Sequence, residues 1–131
     1  MELVLVVMLI ALIEYMVFAG LVGSARGKYG VQAPATTGHP QFERIYRVHQ
    51  NTLEALVIFI PALLTFACYL SAPWAAGLGV AFIVARALYA VLYIRAPEKR
   101  GPGAGLTGIV NIVLVVGGLI GLGKHLLSAG G

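Results

Sequence analysis

Long apolar runs constrain this chain more than any other feature. Four such runs lie at residues 3–22, 52–70, 74–94 and 106–127, and each holds at most one charged residue. About 20 apolar residues in a helix cross the hydrocarbon core of a bilayer. Lipid leaves no water for the backbone, so each span should be helical. The sequence therefore predicts an all-α membrane protein: one domain, residues 1–131, with four transmembrane helices at about 2–24, 43–71, 74–96 and 105–127.

Composition excludes several other classes. Only 11% of the residues are charged and 60% are apolar, whereas a soluble domain averages about a quarter charged residues. A water-soluble protein and a nucleic-acid-binding protein are both excluded on this basis. The three histidines lack the spacing of metal ligands, so no metal site is predicted.

The basic residues cluster beside two of the three connecting loops. Loops 25–42 and 97–105 are flanked by or contain most of them, and the short second loop has none. The positive-inside rule then places both basic loops in the cytoplasm and both termini on the opposite side. Contacts with anionic membrane lipids are expected there. The compact loops favour a bacterial inner membrane.

Polar residues repeat on one face of two of these helices. Arg47, Asn51 and Glu54 are spaced i, i+4, i+7, which is one helical face. Arg86, Tyr89 and Tyr93 are spaced i, i+3, i+7 and likewise lie on one face of the third helix. Buried charges in membranes either pair with one another or mark a functional site. The pattern therefore leaves two interpretations: mutual neutralisation, or a pocket for a small anionic ligand that also carries one cationic group.

The second helix carries a longer motif. Residues 43–54 read E-R-x-Y-R-x-x-x-N-x-x-E, which closely resembles the signature of the MAPEG family, the membrane-associated proteins of eicosanoid and glutathione metabolism. Ser24-Ala25-Arg26, Thr36-Thr37-Gly38, Arg86-x-x-Tyr89-x-x-x-Tyr93 and Arg100 fit the glutathione transferase and leukotriene-C synthase members. The resemblance implies a homotrimer of left-handed four-helix bundles that binds glutathione, as co-substrate, between subunits near the cytoplasmic face.

The same resemblance implies a role for each polar residue. Arg26 and Arg47 would hold the glutathione carboxylates. Asn51 and Glu54 would take the γ-glutamyl end, with Glu54 meeting the ammonium group. The other implied contributions come from His49 as a ligand contact, Tyr89 and Tyr93 as phenol donors, and Arg86 as a bridge to the second helix or a support for the site.

Arg100 is the predicted catalytic group. A cysteine thiol has a pKa of roughly 8.5, and the thiolate is its reactive form. A guanidinium beside the sulfur favours the thiolate, and arginine keeps its proton. Lys99 and Arg95 are the alternatives for this role.

The predicted activity is a membrane-bound glutathione transferase, with glutathione-dependent peroxidase activity as an addition. Gly27 and Ala55 depart from the family pattern, which favours a general detoxifying enzyme. Its second substrate would be a lipophilic electrophile or lipid hydroperoxide that enters from the bilayer. The alternatives are a small multidrug-type transporter that uses Glu14, and a scaffold that binds glutathione or lipid without turnover. Glu14 itself is expected to be an interhelical partner of Arg86.

Overall fold

The protein is a bundle of long helices. The computed structural model describes residues 1–130. Within that range the long helices are α1 (Glu2–Tyr29), α2 (Pro40–Tyr69), α3 (Ala72–Arg95) and α4 (Gly101–Gly130), with a single 3₁₀ turn at Pro97–Lys99. All four are long and apolar enough to cross a membrane. The predicted all-α fold with four transmembrane helices is confirmed, and the chain is a multi-pass integral membrane protein.

Helices α2 and α3 form the centre of the bundle. Each of them packs against the other and against both α1 and α4. Helices α1 and α4 therefore lie on opposite sides of the central pair. Helix α4 contacts both α2 and α3, so a side chain of α4 can meet residues of both central helices at the polar end of the bundle.

The first loop is shorter than the sequence indicated. Helix α1 continues past residue 24 to Tyr29, because Ala25 is buried against Val31 and Phe42. It ends at Gly30, which adopts the left-handed conformation with φ 69°, as glycine commonly does after a helix. Helix α2 begins at Pro40, where His39 Nδ1 accepts a hydrogen bond of 3.1 Å from the Gln41 amide.

Helix α4 begins before the expected residue 105. Pro102 and the glycines around it indicated a loop. However, proline needs no hydrogen-bond partner in the first turn of a helix and is tolerated there. The helix therefore starts at Gly101, directly after the 3₁₀ turn. This early start brings the first turn of α4 beside the last turns of α3.

One half of the bundle has a dry apolar core. The rings of Phe59 and Phe82 stack with centroids 3.9 Å apart, and both side chains are fully buried. Leu114 of α4 and Val7 of α1 belong to the same cluster. Gly121 lets α4 approach α2, because a Cβ at that position would lie 2.5 Å from the Tyr69 carbonyl oxygen. We call this region the apolar half.

Candidate functional site

Arg86 is the centre of the other half of the bundle. Its side chain is only 1% exposed. It donates from Nε and Nη2 to Thr52 Oγ1 (3.2 and 3.0 Å), from Nη2 to Asn51 Oδ1 (2.9 Å) and from Nη1 to Thr107 Oγ1 (3.3 Å). A buried charge needs partners of this kind. Arg86 thus joins α2, α3 and α4, and we call Arg86, Asn51, Thr52 and Thr107 the Arg86 network.

Two tyrosines extend from this network toward the end of α3. The Arg86 guanidinium lies 4.3 Å from the centroid of the Tyr89 ring, within the range of a cation–π interaction. The Tyr89 and Tyr93 rings are stacked with centroids 5.4 Å apart. Tyr89 also lies within electrostatic range of Arg47 and Arg100. Arg86 therefore contacts the Tyr89 ring directly, and Arg47 and Arg100 act on Tyr89 only through their charge.

A polar cleft opens beside these tyrosines, where α2 begins and α3 ends. The Ile94 carbonyl accepts hydrogen bonds from Arg44 Nη1 (3.2 Å) and Gln41 Nε2 (3.4 Å), which tie the two helix ends together. The loop before α2 is held by a hydrogen bond from the Gly38 amide to Glu43 (3.2 Å). The cleft encloses about 530 Å³, a volume in the range of small-molecule sites. It is lined by Thr36, Thr37, Pro40, Glu43, Arg44, Tyr46, Arg47, Gln50, Tyr93 and Pro97.

The structure brings most of the residues predicted for the site to this end of the bundle. Arg47 and Tyr93 line the cleft directly. Asn51, Arg86 and Tyr89 lie behind them through the hydrogen bonds and ring contacts described above. Arg100 is exposed at the start of α4, within electrostatic range of Tyr89. The predicted alternatives to Arg100, Lys99 and Arg95, are also exposed.

Three other predicted residues lie apart from the cleft in the single chain. Arg26 donates to the Ala35 carbonyl (2.7 Å) and lies 5.0 Å from the Phe42 ring centroid. His49 stacks on Tyr15 at 4.6 Å, and its Nδ1 is buried without a hydrogen-bond partner among residues 1–130. Glu54 is exposed on the outer face of α2.

Glu14 does not form a hydrogen bond with Arg86, the interhelical partner expected for it. Its Oε1 is buried and has no hydrogen-bond partner within residues 1–130. The Arg86 donors are instead used by Asn51, Thr52 and Thr107. The two groups interact electrostatically at longer range. In the described part of the chain, no cluster of His, Cys, Asp or Glu side chains has an arrangement that would hold a metal ion.

Sequence reasoning missed both threonines of the Arg86 network. Thr52 follows Asn51 directly in the motif, and no spacing in the sequence singled it out. Thr107 and Asn111 are spaced i, i+4 in the apolar part of α4, which places them on one face. Both are buried, and Asn111 Nδ2 donates to the Ala55 carbonyl at 3.2 Å. The pair marks the face of α4 that packs on the rest of the bundle.

The sequence is similar to a family of known membrane proteins and to several of its members. The sequence profile of the MAPEG family matches residues 4–120. An uncharacterized protein of Synechocystis is 46% identical over 113 residues, which cover 86% of this chain and 82% of that protein. Human microsomal glutathione S-transferase 2 is 42% identical over 78% of this chain and 70% of its own length. Bovine leukotriene C4 synthase is 33% identical over 81% of this chain and 71% of its own length.

Proposed function

This chain belongs to the MAPEG family, and we propose that it is a membrane-bound glutathione transferase. The proposed reaction joins the sulfur of glutathione to a lipophilic electrophile. Two relatives support a glutathione-related membrane enzyme by their names, a microsomal glutathione S-transferase and a leukotriene C4 synthase. The observation that carries the proposal is a polar cleft lined by Arg44, Arg47 and Tyr93, with the Tyr93 ring stacked on Tyr89 beside the buried Arg86.

Glutathione suits the charges of this region. It carries two carboxylates and one ammonium group at neutral pH. In our proposal Arg47 and Arg26 bind the carboxylates, because guanidinium–carboxylate hydrogen bonds are charge-assisted and often bidentate. Asn51 and Glu54 take the γ-glutamyl end, Glu54 through the ammonium group. His49, Tyr89 and Tyr93 complete the set of ligand contacts, and Arg86 supports them from behind.

Arg100 stabilises the thiolate in the proposed mechanism. The thiol proton leaves to water, and the negative sulfur stays beside a guanidinium that does not lose its own proton. The sulfur then forms a bond to the electrophilic carbon, and the leaving group departs with its bonding electrons. Arg100 therefore lowers the free energy of the charged nucleophile and does not act as a base.

A neighbouring subunit would complete the site. Glu54 is exposed on α2 between Leu53 and Val57, which are also exposed. A carboxylate on a lipid-facing surface is costly, and such groups face a protein interior or a polar cavity. This supports an assembly in which another copy covers Glu54 and Arg47, and our proposal takes that assembly to be a homotrimer. The basic loops support a cytoplasmic location for the cleft, where glutathione would enter.

The test is a comparison of arginine variants in the detergent-solubilised protein. We expect Arg100→Ala to lower kcat for conjugation of glutathione to chlorodinitrobenzene by about 10²–10³-fold, the usual effect of removing one group that stabilises developing charge. Arg95→Ala and Lys99→Ala are matched controls from the same exposed segment and should retain activity. The ultraviolet absorbance of the bound thiolate should fall in Arg100→Ala and not in the controls.

Three results would contradict parts of the proposal. Loss of the thiolate signal in Lys99→Ala instead of Arg100→Ala would reassign the catalytic group. Saturable glutathione binding without turnover would indicate a scaffold. An absence of saturable glutathione binding in calorimetry would exclude the proposed function altogether. A parallel assay with cumene hydroperoxide would determine whether the same thiolate also reduces peroxides.

A further inference from the structure

Two residues of α4 that the proposed chemistry does not use have a defined role in the Arg86 network. We propose that Thr107 and Gly103 are positioning residues, which fix Arg86 so that the Asn51 amide presents its nitrogen, a donor, to a carboxylate of the ligand. This inference rests on the proposed function, since the ligand is taken to be glutathione. It adds two residues that would affect ligand selectivity without touching the ligand, on the helix that begins directly after Arg100.

The hydrogen bond with Arg86 determines the orientation of the Asn51 amide. Arginine has five N–H donors and no acceptor. The amide atom that faces Arg86 Nη2 at 2.9 Å must therefore be the oxygen, Oδ1. The amide nitrogen then points away from Arg86, and none of the hydrogen bonds among residues 1–130 uses it. Asn51 is half-buried, so its free donor remains available to a ligand.

The chemistry of that donor selects the ligand group. An N–H donor stabilises a carboxylate and repels an ammonium group, which has donors only. Asn51 lies one helical turn from Arg47, on the same face of α2. Both residues therefore favour an acidic group at this point of the site. An amide turned the other way would present Oδ1 and would favour the ammonium group instead.

Thr107 of α4 holds the Arg86 side chain in place. Thr107 Oγ1 accepts from Arg86 Nη1 at 3.3 Å and donates to the Gly103 carbonyl at 2.8 Å. The hydroxyl hydrogen is thus directed at Gly103 and a lone pair at Arg86, which fixes the rotation of the hydroxyl. Thr107 is 5% exposed and Arg86 is 1% exposed. Neither residue is accessible to a ligand in the cleft, so both act through Asn51.

A close approach of α4 to α3 at Gly103 brings Thr107 near Arg86. A Cβ at Gly103 would lie 2.6 Å from both the amide nitrogen and the Cα of Tyr89. Such distances are not tolerated, so the absence of a side chain at Gly103 allows α4 to press on the backbone of α3. Thr107 lies one turn further along α4, on the same face. The close contact at Gly103 therefore sets the position of the hydroxyl that holds Arg86.

The test uses two threonines with the same local geometry. Thr65 Oγ1 also donates to the carbonyl four residues before it, that of Pro61, at 2.8 Å, but it contacts no arginine. Thr107→Val should weaken glutathione binding by about tenfold, the usual effect of misplacing a hydrogen bond to a charged group. Thr65→Val is the matched control and should leave the Kd unchanged. Thr107→Ser keeps the hydroxyl and should restore binding. Titration calorimetry measures each Kd.

A double-variant cycle separates positioning from a general loss of structure. If Thr107 acts through Asn51, then Thr107→Val should have no further effect on the Kd once Asn51 is replaced in Asn51→Ala. The effect of Thr107→Val should also disappear with 4-aminobutyryl-cysteinyl-glycine, which lacks the carboxylate of the γ-glutamyl end. It should persist with glutathione monoethyl ester, in which the glycine carboxylate is blocked.

Two results would overturn the inference while leaving the proposed function intact. One is wild-type glutathione affinity in Thr107→Val. The other is additive effects of Thr107→Val and Asn51→Ala, which would mean that Thr107 does not act through Asn51. A wild-type protein that binds no glutathione would instead refute the proposed function, so the two failures are distinguishable.

Discussion

The two halves of the bundle use the same helices in different ways. In the apolar half, Phe59, Phe82 and Leu114 pack with no polar partner. The other half, which contains the Arg86 network, is called the polar half here. Its residues Thr52, Arg86 and Thr107 lie one or two turns from Phe59, Phe82 and Leu114 along the same helices and are joined by hydrogen bonds. Two turns of helix are about 11 Å. The chain therefore changes from packing by shape to packing by hydrogen bonds within a short distance.

The difference shows what each half contributes in a membrane. Lipid tails are as apolar as leucine, so burial of apolar side chains between helices gains little from the hydrophobic effect and depends on close packing. The apolar half can therefore change its side chains provided that its shape is kept. The Arg86 network has fixed donors and acceptors, and a change in one member misplaces the others. We expect the apolar half to set stability and the polar half to set function.

The largest expected effect comes from removing the centre of the polar half. Arg86→Leu should weaken glutathione binding by about a hundredfold, because Asn51 and Tyr89 both lose their support and each contact to a charged ligand is worth about tenfold. Stability should fall by only about 1 kcal/mol, because the buried Thr52 hydroxyl loses its donor while Thr107 keeps its hydrogen bond to the Gly103 carbonyl. Calorimetric titration with glutathione and a thermal unfolding curve in detergent measure the two quantities.

The control for Arg86→Leu is Arg95→Leu at the exposed end of α3, which should change neither quantity. An Arg86→Leu protein that unfolds more easily than any apolar-half variant would remove the distinction between the two halves.

A substitution in the apolar half should lower stability and leave glutathione binding nearly unchanged. Phe59→Ala removes the ring that stacks on Phe82 at 3.9 Å. We expect it to lower the free energy of unfolding by about 2 kcal/mol, below the usual cost of such a cavity because lipid supplies no transfer term. The KM for glutathione should stay within about twofold. Unfolding in a denaturing detergent and steady-state kinetics test both statements, and a large rise in KM would contradict the division.

The sequence was sufficient to predict what depends on local pattern. Apolar length gave the four helices, and helical periodicity placed Arg47 and Asn51 on one face. The register of α4 against α3 could not be obtained in this way, because it depends on the contact of Gly103 with the Tyr89 backbone. That contact places Thr107 beside Arg86, and no pattern within α4 encodes the register between two helices.

His49 illustrates a second limit. The family resemblance implied a ligand contact, but His49 lies two residues after Arg47 and thus roughly 200° around the helix. In the single chain it stacks on Tyr15 of α1. Glu54 is a third case, since it is exposed in the single chain and its proposed surroundings include a neighbouring subunit. Helical periodicity describes one chain, so it cannot place a residue whose proposed contacts come from another copy.

A pair of glycines offers a matched comparison of the two halves with a smaller effect. Gly103 and Gly121 both allow α4 to touch the backbone of another helix, with virtual Cβ contacts of 2.6 and 2.5 Å. Gly103→Ala should lower kcat/KM by about tenfold, because it displaces Thr107 and the start of α4 that carries Arg100. Gly121→Ala should lower the unfolding temperature and leave kcat/KM nearly unchanged.

The substitution and the type of contact are the same in Gly103→Ala and Gly121→Ala, so the two variants differ only in their position along α4. Equal losses of activity in both variants would mean that the two halves are coupled through α4 as a rigid body. Loss of activity in Gly121→Ala alone would reverse the assignment.

The smallest expected effect concerns Arg26, at the outer edge of the polar half. Its guanidinium donates to the Ala35 carbonyl at 2.7 Å and lies over the Phe42 ring, so in the single chain it supports the loop before α2 and has no direct contact with Arg86. Arg26→Lys should raise the KM for glutathione only about threefold, because a lysine keeps the charge that attracts a carboxylate and loses the planar contact. Kinetics with Lys28→Ala, an exposed cation on the same helix, serve as the control. A KM unchanged even in Arg26→Ala would contradict the proposed carboxylate contact and would restrict Arg26 to its role in the loop before α2.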